Sequence, residues 1–130
     1  MEKLIIRFAE EKDIPVILRL IKDLAEYERL ASEVKASESS LKETLFGNKK
    51  YAEILLAEYD GEAAGQALFF HNYSTFLAKP GIYLEDLFIK PEFRGKGIGK
   101  ALLTRLIHIA KERNCGRVDW AVLDWNEPAI

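Results

Sequence analysis

The 130 residues carry 19 basic and 21 acidic side chains, for a formal charge of −2 and a pI near 5.8, and no basic run marks a nucleic-acid face. With 48% hydrophobic residues and no apolar run near the ~20 residues of a membrane span, the chain reads as a single domain over residues 1–130, with neither membrane nor nucleic acid as partner. One cysteine, Cys115, excludes an internal disulfide, and Met1 to Arg7 lacks the apolar stretch of a secretion signal, so a reducing cytoplasm is the expected compartment.

Leu4, Ile5, Ile6 and Phe8 predict a short buried strand. Asp13 then offers an N-cap with Pro15 in the first helical turn, and Ile14, Ile17, Leu18, Ile21, Leu24 and Ala25 keep the spacing of a helix laid on a core until about Tyr27. Ser40 with Glu43 has capping-box spacing before Leu45 and Phe46, which predicts a second, short helix ending at Gly47-Asn48. Two strands, Tyr51 to Tyr59 and Ala63 to Phe70, flank Asp60-Gly61, a strong hairpin signal. His71 to Pro80 reads as a loop and Tyr83 to Ile89 as a further strand. There Tyr83, Glu85, Leu87 and Ile89 share one face, so Glu85 is expected among apolar neighbours. Lys100 to Arg113 carries a helical stripe of Leu102, Leu103, Leu106, Ile109 and Ala110, Gly116 stops it, and Arg117 to Leu123 reads as a last strand.

Between that strand and that helix stands Arg94-Gly95-Lys96-Gly97-Ile98-Gly99. Three glycines in five residues let the backbone turn tightly and bring several N–H groups near one ligand, while the helix N-terminus adds partial positive charge. Such a junction suits a phosphate, although a glycine-rich strand-to-helix turn with no ligand has the same composition. A P-loop is excluded, because it needs Gly at the position of Arg94 and Ser or Thr at that of Ala101. The dinucleotide fingerprint is excluded as well, since its third glycine falls one residue early.

The remaining pattern, R-x-x-G-x-G, resembles the pyrophosphate loop of the GCN5-related N-acetyltransferase (GNAT) family. The predicted element order matches that family's fold over the whole chain. Leu18 to Glu28, Tyr83 to Ile89, the glycine loop and Trp125 to Ile130 are more specifically similar to its diamine branch, which contains spermidine/spermine and thialysine acetyltransferases. The resemblance implies an α/β (α+β) fold, a mixed, mostly antiparallel sheet flanked by helices. The family continues past the position of Ile130 with a tyrosine-bearing helix and two more strands, so the domain is expected to be C-terminally incomplete here and a homodimer when full length. The implied reaction is direct acetyl transfer from acetyl-coenzyme A to a small cationic amine in a ternary complex. A coenzyme A-binding or regulatory module without turnover is the alternative. Ser74-Thr75-Phe76 is closer to the thialysine pattern than to the polyamine-specific one.

By the same resemblance, backbone groups of Leu87, Phe88 and Ile89 meet the pantetheine arm and thioester. Gly95, Lys96, Gly97, Ile98, Gly99 and Lys100 cradle pyrophosphate with Arg94 at the rim, and Asn126, Glu127, Pro128 and Ala129 form a further coenzyme A turn. Tyr27 and Glu28 face the amine, with Asp119, Trp120 and Ala121 as a second wall. An alkylammonium with a pKa near ~10.4 is neutral in only about one molecule in ~10³ at pH 7, so a base is required. Glu85 is the candidate, drawing a proton through water. Its alternatives are to bind the cation alone or to pair with a nearby base. His71, His108 and Cys115 are given no chemistry, and no metal is expected.

Overall fold

The computed structural model describes residues 3–120. Five strands form one sheet in the order β1 (Leu4–Phe8), β2 (Glu53–Tyr59), β3 (Glu62–Ser74), β4 (Lys79–Ile89) and β5 (Val118–Trp120). The first four are antiparallel and β5 joins β4 in parallel. Helices α1 (Ile14–Tyr27) and α2 (Glu38–Phe46) lie on one face and α3 (Ile98–Glu112) on the other. The mixed, mostly antiparallel α/β arrangement expected from the sequence is therefore present.

Each face of the sheet buries its own apolar set, which is why the strands read as nearly continuous hydrophobic runs. Ile17, Leu20, Leu24, Leu41 and Leu45 pack on Ile54, Leu56 and Phe88. Leu102, Leu106 and Ile109 pack on Leu55, Ala57, Phe69, Ile82, Leu84, Leu87 and Ile89. Fully buried leucine or isoleucine side chains of this kind contribute about 1.5–3 kcal/mol each relative to exposure.

Several local expectations shift. The capping box of α2 is made by Ser37 and Ser40, each side chain accepting the other's backbone N–H, so Ser40 is N3 and Glu43 takes no part. Asp13 does not cap α1: its carboxylate accepts from Glu10 N–H and binds Arg7 through two bonds of 2.8 and 2.9 Å. The predicted loop from His71 to Pro80 is mostly sheet, because β3 runs to Ser74 and β4 begins at Lys79, leaving a tip of residues 75–78. Helix α3 begins at Ile98, two residues early.

Two features hold α3 in place over the sheet. At its C-terminal end the Arg113 guanidinium grips both carboxylate oxygens of Glu53 on β2 and donates to His71 Nε2 at 2.9 Å. Because a guanidinium only donates, His71 carries its proton on Nδ1 and gives it to Gly81 O, 3.0 Å away. At the N-terminal end, Ile98 and Leu102 are fully buried beneath the glycine turn.

Candidate active site

The register of β3 against β4 breaks in the middle. Leu68 stands opposite Asp86 and Phe69 opposite Leu84, so Glu85 is an extra residue with no partner, a β-bulge. One inserted residue reverses the alternation of side chains beyond it. Ile82 and Leu84 before the bulge, and Leu87 and Ile89 after it, all enter the α3-side core. Glu85 and Asp86 consequently both turn to the α1 side, with Phe88 following two residues on. This corrects the expected face: Glu85 does not lie among Leu87 and Ile89 but is exposed, and Asp86 is the more buried carboxylate of the two.

The bulge also governs the strand's free edge. Strand β5 pairs with β4 only at Ile82, Tyr83 and Leu84, and among the described residues no strand borders residues 85–89 on that side. Lys90 N–H bonds Ala64 O on β3, so by alternation Phe88 and Asp86 also direct their N–H groups to β3. Leu87 and Ile89 direct theirs to the open edge. Of the three backbone positions expected to meet a thioester arm, Leu87 and Ile89 thus direct their N–H groups away from β3, and Phe88 directs its own into the sheet.

Beyond Ile89 the chain runs into the glycine turn. After Pro91–Phe93, Gly95 and Gly97 adopt φ of +81° and +78°, a region costly for any residue with a Cβ, and Gly97 is the N-cap of α3. No side chain caps the helix, and a Cβ built on Gly95 or Gly97 would meet no atom within 4 Å. Helix-end N–H groups thus border open space beside exposed Lys96 and Lys100.

Arg94, expected at the rim of that turn, is half-buried. Its guanidinium lies 4.5 Å from the Tyr27 ring centre and 5.8 Å from that of Phe88, and its Nε donates to Ile89 O at 3.1 Å. It stacks the turn onto the end of α1. Its Nη2 is buried without a partner among the described residues, a donor that a phosphate oxygen would satisfy.

On the α1 side the carboxylates converge. Glu28 is the residue after α1, and Tyr27 packs on Phe88 with ring centres 6.4 Å apart. Asp86 is pushed up to about 6 by burial first, then by the charges of Glu85 and Glu28; Glu28 is raised by burial. Both Glu85 and Glu28 therefore lie within electrostatic reach of Asp86. A groove of about 460 Å³ continues past Tyr27 and Phe88 between α1 and Lys90-Pro91-Glu92. Sequence reasoning named Glu28 and Glu85 and missed Asp86, whose place only strand pairing reveals. On β5, Asp119 and Trp120 flank Tyr83 and Leu84, and Asp119 pairs with Arg117 at 2.8 Å. Ala121, Asn126, Glu127, Pro128 and Ala129 lie outside the described residues. No cluster of three or more His, Cys, Asp or Glu is placed to hold a metal, and no helix is long and apolar enough to cross a membrane, both among the described residues.

The site is thus a bulged strand of a mixed sheet beside an uncapped, glycine-rich helix start. The sequence profile of the acetyltransferase (GNAT) family matches residues 17–130, and the chain belongs to that family. It is 41% identical over 138 aligned positions to thialysine N-ε-acetyltransferase of Bos taurus, covering all of this chain and 81% of that protein. It is 33% identical to L-ornithine N5-acetyltransferase of Arabidopsis thaliana, covering 96% of this chain and 75% of that one. Among solved structures, ribosomal-protein-alanine N-acetyltransferase from Brucella melitensis biovar Abortus 2308 shares the fold with a TM-score of 0.81 at 21% identity. That match covers 98% of this chain and 85% of the other.

Proposed function

We propose that this acetyltransferase moves an acetyl group from acetyl-coenzyme A to the nitrogen of a small primary amine of the polyamine, diamine or thialysine type. The reading rests on one observation above all: the outward main-chain N–H groups of β4 after the bulge, which no strand borders among the described residues, lead through Pro91–Phe93 to the uncapped N-terminus of α3. An extended amide-bearing arm fits the edge and its diphosphate fits the turn. The orphaned Nη2 of Arg94 and the open space outside Gly95 and Gly97 suit the same guest.

When bound, acetyl-coenzyme A supplies the activated acetyl group as a thioester. Gly95, Lys96, Gly97, Ile98, Gly99 and Lys100 would hold its diphosphate by N–H groups and side-chain charge, with Arg94 reaching it from the Tyr27 side. Leu87 and Ile89 present backbone N–H groups at the open edge, where a preorganised donor stabilises developing negative charge on an acyl oxygen. Glu28, Glu85 and Asp86 attract the ammonium group and lower the cost of holding it beside them, while Tyr27 offers an aromatic edge. Glu85, at the exposed end of this set, is placed to exchange protons with water. Lysine-like amines, as the names of the thialysine and ornithine relatives suggest, match one ammonium to a patch of three carboxylates.

The test is calorimetric titration with acetyl-coenzyme A, followed by thiol release against spermidine, 1,3-diaminopropane, thialysine, ornithine and lysine. Saturable binding with amine-dependent thiol release is the expected result. Binding without release across the panel would favour a coenzyme A-binding module, and no binding would refute both.

A further inference from the structure

We propose that Asp86 is the first acceptor of the substrate proton and that Glu85 passes the proton on to solvent, the bulge serving to set the two carboxylates side by side at different depths. The inference rests on the acyl-transfer reading above. Its geometry is independent of it.

Consecutive residues of a regular strand point to opposite faces, so neighbouring carboxylates would ordinarily be separated by the sheet. Here Leu84 and Leu87 both enter the α3-side core, and the two residues between them must both face α1. Glu85 is exposed while Asp86 is withdrawn behind it. The influences on the Asp86 carboxylate are burial and the charges of Glu85 and Glu28, with no cation or hydrogen bond among them, a balance that a bound ammonium would offset.

The groups around Asp86 all push in one direction. From α1 comes Glu28, and from its own strand Glu85. Leu56 and Leu68, on the neighbouring strands, bring no charge to that face. Asp119 on β5 is paired with Arg117, and the Arg94 guanidinium is engaged with Tyr27, Phe88 and Ile89 O. Burial and the two acids raise Asp86 to about 6, which matches a base working near neutral pH better than an ordinary carboxylate would. Asp86 also immediately precedes Leu87, whose N–H faces the open edge, so the acceptor and the acyl-oxygen donor are adjacent in the chain.

The step is a proton transfer. An ammonium N–H bond breaks, its electron pair stays on nitrogen for attack on the acyl carbon, and an O–H bond forms on an Asp86 carboxylate oxygen. Asp86 then yields that proton to the Glu85 carboxylate, and Glu85 yields it to water, so each carboxylate returns to its starting state.

The experiment compares wild type, Asp86→Asn, Asp86→Glu and Glu85→Gln in kcat/KM for the best amine from pH 5 to 9, with acetyl-coenzyme A affinity and thermal melting on the same samples. Wild type should show an acid limb with a midpoint near 6. Asp86→Asn should lose that limb and fall about 10²-fold or more at pH 7, keep acetyl-coenzyme A affinity within about threefold, as expected where the cofactor is held elsewhere, and melt higher than wild type at pH 8, because an uncompensated buried charge is gone. Asp86→Glu should restore part of the rate and the limb. Glu85→Gln should slow turnover while keeping the limb. An acid limb that survives Asp86→Asn, or disappears only in Glu85→Gln, overturns the assignment, as does a lower melting temperature at pH 8 with full activity. Absence of amine-dependent turnover in a wild-type protein that binds acetyl-coenzyme A overturns this proposal and the acyl-transfer reading together, whereas turnover with an unmoved limb overturns the relay alone.

Discussion

Gly97 and Gly61 make a matched pair for isolating the anion site. Both have positive φ, +78° and +84°, and at neither would an added Cβ meet an atom within 4 Å. Alanine at either position should therefore cost only the left-handed backbone penalty, about 1–2 kcal/mol. For a domain of this size that corresponds to a melting shift of roughly 3–10 °C. The two positions differ in what lies outside them. Gly61 closes the β2–β3 hairpin, whereas Gly97 is the N-cap of α3. Gly97→Ala should then lose acetyl-coenzyme A affinity by about tenfold or more, equivalent to ~1.4 kcal/mol, because the methyl occupies the approach and the peptide N–H groups turn away. Gly61→Ala should bind as wild type. Scanning fluorimetry measures the first quantity and titration calorimetry the second. Equal losses of affinity in the two variants, or binding within twofold of wild type for Gly97→Ala, would refute the assignment of the turn.

Arg94→Ala should lower acetyl-coenzyme A affinity roughly tenfold, and Arg94→Lys should not restore it, since an ammonium neither stacks flat on Tyr27 nor reaches Ile89 O and a phosphate together; calorimetry decides. Arg113→Ala should destabilise by about 1–2 kcal/mol in urea, by freeing the C-terminal end of α3 from Glu53. Arg113 and Arg7, through side-chain hydrogen bonds, hold Glu53 and Asp13 below their ordinary values of 4.5 and 3.8. A lowered folded-state value adds stability above the unfolded pKa and loses it as pH falls through the folded one, so the urea midpoint should drop below about pH 4.5 from this cause. Asp86 has the opposite sign. Its raised value adds stability that is present below 3.8 and lost as pH rises through about 6, so in wild type but not in Asp86→Asn the midpoint should decline across that interval.

Elements whose signals are local could be read in advance. Asp60-Gly61 makes the tight turn it promised, both residues at positive φ, and the stripes of α1 and α3 face the two cores. The glycine turn was recognisable because positive φ at Gly95 and Gly97 leaves a compositional mark. Pairing effects were not accessible. The phase reversal at Glu85 depends on the register between Leu68 and Phe69 on another strand, and nothing near Glu85 in the chain records it. Asp86 was missed and Glu85 misplaced for that one reason. The stacking of Arg94 was not legible because its partner Tyr27 comes from the far end of α1. His71, Asn72, Ser74 and Pro80 read as loop residues, yet cross-strand pairing keeps them in a long hairpin, with Pro80 near the strand's start.

After the bulge, Leu87 and Ile89 direct their main-chain N–H groups away from β3. Outward main-chain donors of this kind bind extended backbone laid against them. An amide-bearing arm laid in that slot acts as a surrogate strand, so filling the site and finishing the sheet become one event. Nutrient state would then enter protein stability directly: a donor present at a hundred times its dissociation constant adds about 2.7 kcal/mol to the folded form. Purified in its absence, the same chain should show a lower melting temperature.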